Sequence, residues 1–161
     1  MLRHLPILFL GVAAWLSAGC STPRSRSNTD HNLAAAAALD QAFVAAFNRA
    51  DATAISSMYW NSPDAVSFPP DALQARGHAA IHQATLQSFA AMPGARLELT
   101  ESHQVPAGDS VVGWGLWRIT MPAPDGSTVE MIGRYTDLKA MRNGKWVYLI
   151  DHASAPLPAE Q

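Results

Sequence analysis

Cysteine is nearly absent: Cys20 is the only one in 161 residues. A single thiol excludes an internal disulfide and any cysteine-built metal site, and its place near the amino terminus leaves no thiol nucleophile in the body of the chain. Net charge is equally thin, at −2, and no basic stripe runs through the sequence, which argues against nucleic acid as a partner. The apolar run over residues 5–18 falls short of the roughly 20 residues a helix needs to cross a bilayer. No internal repeat is present, and low complexity is confined to the alanines at 34–38. What remains, 48% hydrophobic residues over this length, suffices for one ordinary core and hardly two, so one globular domain is expected.

Arg3 and His4 precede the apolar run, which gives the amino terminus the layout of an export signal. The run closes on Leu16-Ser17-Ala18-Gly19-Cys20 and resembles the lipobox of bacterial lipoproteins. That resemblance implies removal of residues 1–19 and acylation of Cys20, each buried methylene adding about 0.8 kcal/mol of membrane affinity. Ser21, rather than aspartate, follows the cysteine. By the sorting pattern of such proteins this implies an outer-membrane anchor, with the domain facing the periplasm of a Gram-negative cell and touching the membrane through its lipid alone. Ordinary cleavage and secretion stays open as the alternative. Loss of Arg3 with the leader would move the formal charge from −2 to −3. Residues 20–31, with Pro23, Arg24 and Arg26 among small polar residues, are expected to form a tether. A domain over 32–155 and a tail over 156–161 follow.

Within the domain, residues 33–50 are alanine-rich and place Leu39, Phe43 and Phe47 on one stripe, which predicts a long helix with an aromatic face. Asp51 can cap a second helix reaching Tyr59, and a short strand is expected over 65–68 before Pro69-Pro70. A third helix should follow Gly77, carrying Ile81, Leu86 and Phe89. Beyond Pro93-Gly94 the period changes from 3.6 to 2, and the rest reads as antiparallel sheet. Gly113 and Gly115 share one side of the run over 111–121, with Trp114 and Leu116 on the other and Trp117 back with the glycines. One face therefore lacks bulk where a sheet must bend. Asn143-Gly144 supplies the two positive-φ positions of a type I′ turn, so residues 129–141 and 145–154 should form the closing hairpin.

Helix, short helix, brief strand, helix and long antiparallel strands resemble the cone-shaped α+β fold of the nuclear transport factor 2 superfamily, home of ketosteroid isomerase, scytalone dehydratase and the SnoaL-like cyclases. The words that carry the resemblance are Asn48-Arg49-Ala50-Asp51-Ala52, Asp64-Ala65-Val66, Arg76-Gly77-His78-Ala79-Ala80-Ile81, Gly133-Arg134-Tyr135-Thr136-Asp137, Gly144-Lys145-Trp146 and Asp151-His152-Ala153-Ser154. The resemblance implies a cone-shaped α+β barrel, with three N-terminal helices packed on a strongly curved antiparallel sheet and a ligand cavity between them. Set against ketosteroid isomerase, Pro69 falls where the catalytic base belongs, Asp137 falls near the oxyanion-hole acid, and Phe43 or Phe47 replaces the hole-forming tyrosine. Steroid isomerisation is therefore not expected.

Strand alternation places Val147, Leu149, Asp151 and Ala153 on one face, and the resemblance makes that face the cavity lining. Asp151 among apolar residues would hold its proton more tightly and suit general acid–base work, or it could pair structurally with Arg134 or a backbone amide. Asp137, His152 and Tyr135 are the supporting candidates, although alternation sends His152 outward with Trp146, Tyr148 and Ile150. Phe43, Phe47, Tyr59, Trp60, Trp117, Arg134, Tyr135 and Leu149 are expected to contact the ligand. His78 and His82 share a helix face, but no glutamate lies between them and no third ligand is evident, so no metal is expected. Ser154 has no nucleophile elbow around it. The expectation is a small, mostly apolar organic ligand in a homodimer, with cofactor-free acid–base chemistry if the domain is an enzyme. A noncatalytic binding or oligomerisation module is the alternative.

Overall fold

The computed structural model describes residues 23–156, with side chains placed from residue 28. The expected leader, Cys20 and residues 157–161 lie outside the described residues. Helix α1 spans Pro23–Phe47 and begins well before residue 33. Much of the expected tether is thus helical: proline is well suited to a helix's first turn, and no breaker separates it from the alanines. The helix ends where Ala50 takes a φ of 54° and the Asp51 N–H donates to the Ala46 carbonyl at 3.0 Å. Asn48 then pairs with Leu97 as a backbone would. Its amide donates to the Leu97 carbonyl at 3.0 Å, and its Oδ1 accepts the Leu97 N–H at 2.7 Å. This double bond pins the aromatic end of α1 to the sheet.

Helix α2, Ala52–Ser57, is capped by the Asp51 carboxylate, which accepts the Ala54 N–H at 2.8 Å. Helix α3, His78–Ala91, buries Ile81. The strands are β1 Val66–Phe68, β2 Ala75–Arg76, β3 Arg96–Ala107, β4 Ser110–Pro122, β5 Thr128–Arg142 and β6 Lys145–Ser154. They form one sheet in the order β2-β1-β6-β5-β4-β3, so the cone is open and not a closed barrel. The sheet is also mixed, a departure from the expected antiparallel arrangement, because β1 runs parallel to β6. Strands joined by a hairpin must be antiparallel; β1 reaches β6 through most of the domain and escapes that constraint. The closing turn is as expected, with Asn143 at φ 51° and Gly144 at φ 77°. Among the described residues, no helix is long and apolar enough to cross a membrane.

Two bulges shape the concave face. One lies in β3, where pairing to β4 shifts between Leu99 and Glu101. Leu97 and Leu99 point inward before it, and Ser102 and Gln104 stand opposite the inward glycines after it. The other lies in β6, where Leu138 pairs with Ile150 and Lys139 with Tyr148, leaving Leu149 as the extra residue. Each bulge bends its strand and reverses which side chains face the helices. Gly115 sits against the first: a Cβ there would run into the Glu101 carbonyl, and would lie 2.9 Å from the Tyr135 ring. We expect Gly115→Ala to lower stability by about 1–3 kcal/mol, the usual cost of overpacking. Thermal melts check this; an unchanged Tm would mean that the bulge does not need the missing side chain.

Candidate functional site

A cavity of about 280 Å³ lies between the concave sheet and the helices. Phe43 and Phe47 from α1, Ile81 and Phe89 from α3, and Leu97, Trp117 and Tyr135 from the strands form its apolar walls. The aromatic stripe of α1 does what its spacing predicts. The Phe43 ring meets Tyr148 edge-on at 5.8 Å, and Phe47 meets Phe89 at 5.3 Å.

Polar groups gather at one part of this lining. Asp137 and Asp151 face each other across β5 and β6 as register partners. Asp151 accepts the Tyr59 hydroxyl at 2.7 Å and, more weakly, the Ser67 hydroxyl at 3.5 Å. Asp137 accepts the Gly113 N–H at 3.2 Å and lies 3.0 Å from the Lys139 ammonium. Gly113 makes room for that pair, since a Cβ would fall 2.7 Å from the Asp137 carboxylate and 2.9 Å from Lys139 Nζ. Lys139 also donates to Asp40 of α1 at 2.8 Å, and Asp40 accepts Tyr148 at 2.6 Å and Gln104 at 2.7 Å as well. Tyr135 donates to Ser102 at 2.9 Å. Lys139 is 0% exposed, Asp40 4% and Asp137 3%.

Asp151, Asp137, Phe43, Phe47, Tyr59, Trp117 and Tyr135 therefore reach the cavity, and Pro69 stands in its wall. Four expected residues do not. His152 is exposed on the convex side and meets the Phe68 ring edge-on at 5.9 Å. Arg134, also convex, bonds Ser154 at 3.2 Å, so it does not pair with Asp151. Trp60 lies under the Arg142 guanidinium at 5.4 Å, one residue past the Tyr59–Tyr148 bridge and hence on the other side. Leu149 is the bulged residue, and the bulge turns Tyr148 into the cavity in its place.

Asp40, Lys139, Tyr148, Gln104, Ser67 and Ser102 escaped the sequence reading. Signals existed for two of them. Asp40 follows Ala36 by four residues and precedes Phe43 and Phe47 by three and seven, which is the stripe already identified. Lys139 continues the alternation of Tyr135 and Asp137. The other four depend on the bulges or on the crossing of β1 beside β6, which no local pattern announces.

A profile of the SnoaL-like domain matches residues 41–149. The chain belongs to the SnoaL-like family. Solved structures agree on the fold. A Streptomyces avermitilis protein of the nuclear transport factor 2-like family, named as a candidate dehydratase, superposes with a TM-score of 0.71 at 18% identity, over 80% of this chain and 99% of that one. A nuclear transport factor 2-like protein with a cystatin-like fold from Novosphingobium aromaticivorans gives 0.73 at 13% identity, over 89% and 94%. A candidate calcium/calmodulin-dependent kinase II association domain from Xanthomonas campestris gives 0.62 at 18% identity, over 96% and 100%. No curated protein matches the sequence.

In this SnoaL-like domain, burial governs the acid–base groups. Desolvation pushes Asp137 up to about 7 even though Lys139 pulls the other way, with the Asp40 charge adding to the rise. Asp151 is also raised by burial, against the opposing hydrogen bond from Tyr59. Burial holds Tyr135 at about 12, and keeps Tyr59 and Tyr148 protonated through burial and the adjoining carboxylates. An unfolded aspartate titrates near about 3.9, so between that value and about 7 the folded chain binds more protons than the unfolded one. The contribution of Asp137 to stability is therefore fully present below about pH 4, is lost as pH rises toward about 7 and is level above it. Denaturant titrations across that range should show the decline, and Asp137→Asn should flatten it. An equal slope in the variant would place the titrating group elsewhere.

Proposed function

We propose that this domain binds a small, mostly apolar organic molecule in its cavity and carries out cofactor-free proton transfer on it. The supporting observation is the pairing of Asp137 with Asp151 at the polar part of an otherwise apolar chamber. Asp137, near neutrality, can give or take a proton at working pH, and Asp151, oriented by Tyr59 and Ser67, is the companion acid or base. A dehydration needs one group to remove a proton and another to protonate a departing hydroxyl, so the name given to the Streptomyces avermitilis relative suits this pair. Isomerisation and cyclisation use the same two roles. At about 280 Å³ the chamber is close to the lower end of ligand pockets and suits a guest of one or two rings. Cys20, as the acylated first residue of the mature chain, would hold the domain to the outer membrane facing the periplasm.

The binding test is a saturation series with aromatic and polyketide-like compounds of one to three rings. Saturable binding to some of them is expected, with turnover of any substrate falling about 100-fold or more in Asp151→Asn, the scale of a lost general acid or base. No binding above background across the panel would contradict the reading.

A second reading, a noncatalytic assembly module, draws on the convex face of the sheet, where Trp114, Leu116, Ile132 and Ile150 are each about 40–50% exposed. We take this face as the seat of a homodimer, which is compatible with either role. Sedimentation should give a dimer that Leu116→Glu converts to a monomer; a monomeric wild-type chain would remove the dimer.

A further inference from the structure

We infer that the cavity selects its guest by charge, taking a hydrophobic amine in its ammonium form over a neutral or anionic compound of the same shape. The inference rests on the cavity being a ligand site, as proposed above, and names the polar end of the guest. Among the described residues, the lining includes Asp40, Asp71, Asp137 and Asp151 and no lysine, arginine or histidine. Lys139, the nearest cation, is not part of the lining; it is fully buried and committed to Asp40 and Asp137. Two of these carboxyls share one ammonium, and Asp151 has no ion-pair partner among the described residues.

The acceptors left over are specific. Asp40 is saturated by Lys139, Tyr148 and Gln104. Asp151 uses Oδ2 for both Tyr59 and Ser67, and its Oδ1 carries no hydrogen bond. Asp137, although 3% exposed, directs Oδ1 at Gly113 and Lys139 and leaves Oδ2 without a hydrogen bond. Two unpaired carboxylate oxygens on register partners at the wall of an apolar chamber match the several donors of one ammonium group. The body of the guest would lie among Phe43, Trp117 and Tyr135, whose ring faces attract a cation and repel an anion. An alcohol supplies one donor and no charge. A carboxylate guest would bring a further negative charge into a site where burial already outweighs the compensation that Lys139 gives Asp137.

The test measures affinity of the full chain, held in detergent, for naphthylmethylamine, naphthylmethanol and naphthoate at neutral pH. We expect the amine to bind at least about tenfold more tightly than the alcohol, a difference of about 1.4 kcal/mol, with naphthoate weakest. In Asp151→Asn the amine should lose about tenfold while the alcohol stays within about threefold, which also shows that the variant folds. An alcohol that binds as well as the amine, or a preferred naphthoate, overturns the charge selection and leaves the ligand-binding reading standing. Should none of the three bind, while the broader panel above is also silent, the reading on which this inference rests falls, and the inference with it.

Discussion

Lys139 is an ammonium with no contact to solvent, held between a helix carboxylate, Asp40, and a strand carboxylate, Asp137. Taking such charges out of water costs several kcal/mol per ion, and removing one member of a buried pair generally costs about 3–5 kcal/mol because the other is left uncompensated. The arrangement persists because its parts are satisfied together. Tyr148 and Gln104 complete Asp40, while Gly113 gives up its side chain so that Lys139 and Asp137 can meet. The interaction also ties α1 to the middle of the sheet, and so fixes how far the helix stands from the concave face. Asn48 secures the other end of the same helix through Leu97. The cavity is the space these two fixings leave between them.

The same interaction divides the carboxyls by role. Asp40 receives three donors and is structural. Asp137 receives one backbone N–H and shares Lys139, so burial outweighs its compensation and its proton is held to about 7. Asp151 has a tyrosine and a serine for partners and, among the described residues, no cation within ion-pair distance. Three identical side chains on one lining thus have different chemistry, set by which donors the fold delivers to each.

Much of this was legible in the residues. The aromatic stripe at Phe43 and Phe47, the capped second helix, the Asn143-Gly144 turn and the glycine-bearing concave face at Gly113 and Gly115 all follow from spacing and backbone preference. Asp151, Asp137, Tyr135, Tyr59 and Trp117 reached the cavity as expected. Strand alternation breaks at one extra residue, Leu149, which moved Tyr148 inward and Leu149 out of the lining. His152 and Arg134 lie on the side that alternation gives them, opposite Asp151 and Tyr135, and Trp60 lies on the far side of its bridge. Asp40 and Lys139 were visible on patterns already in use. They were missed because a lone charge in an alanine helix or an alternating strand reads as solvated until its partner is known, and the partners are 99 residues apart.

Burial beside a shared ammonium makes Asp137 an acid–base group at neutral pH. Its side-chain carboxyl can be followed directly by carbon NMR through a pH titration of the labelled chain. A midpoint of about 7 is expected for Asp137; a midpoint at the ordinary aspartate value of about 4 would mean that burial does not govern this carboxyl.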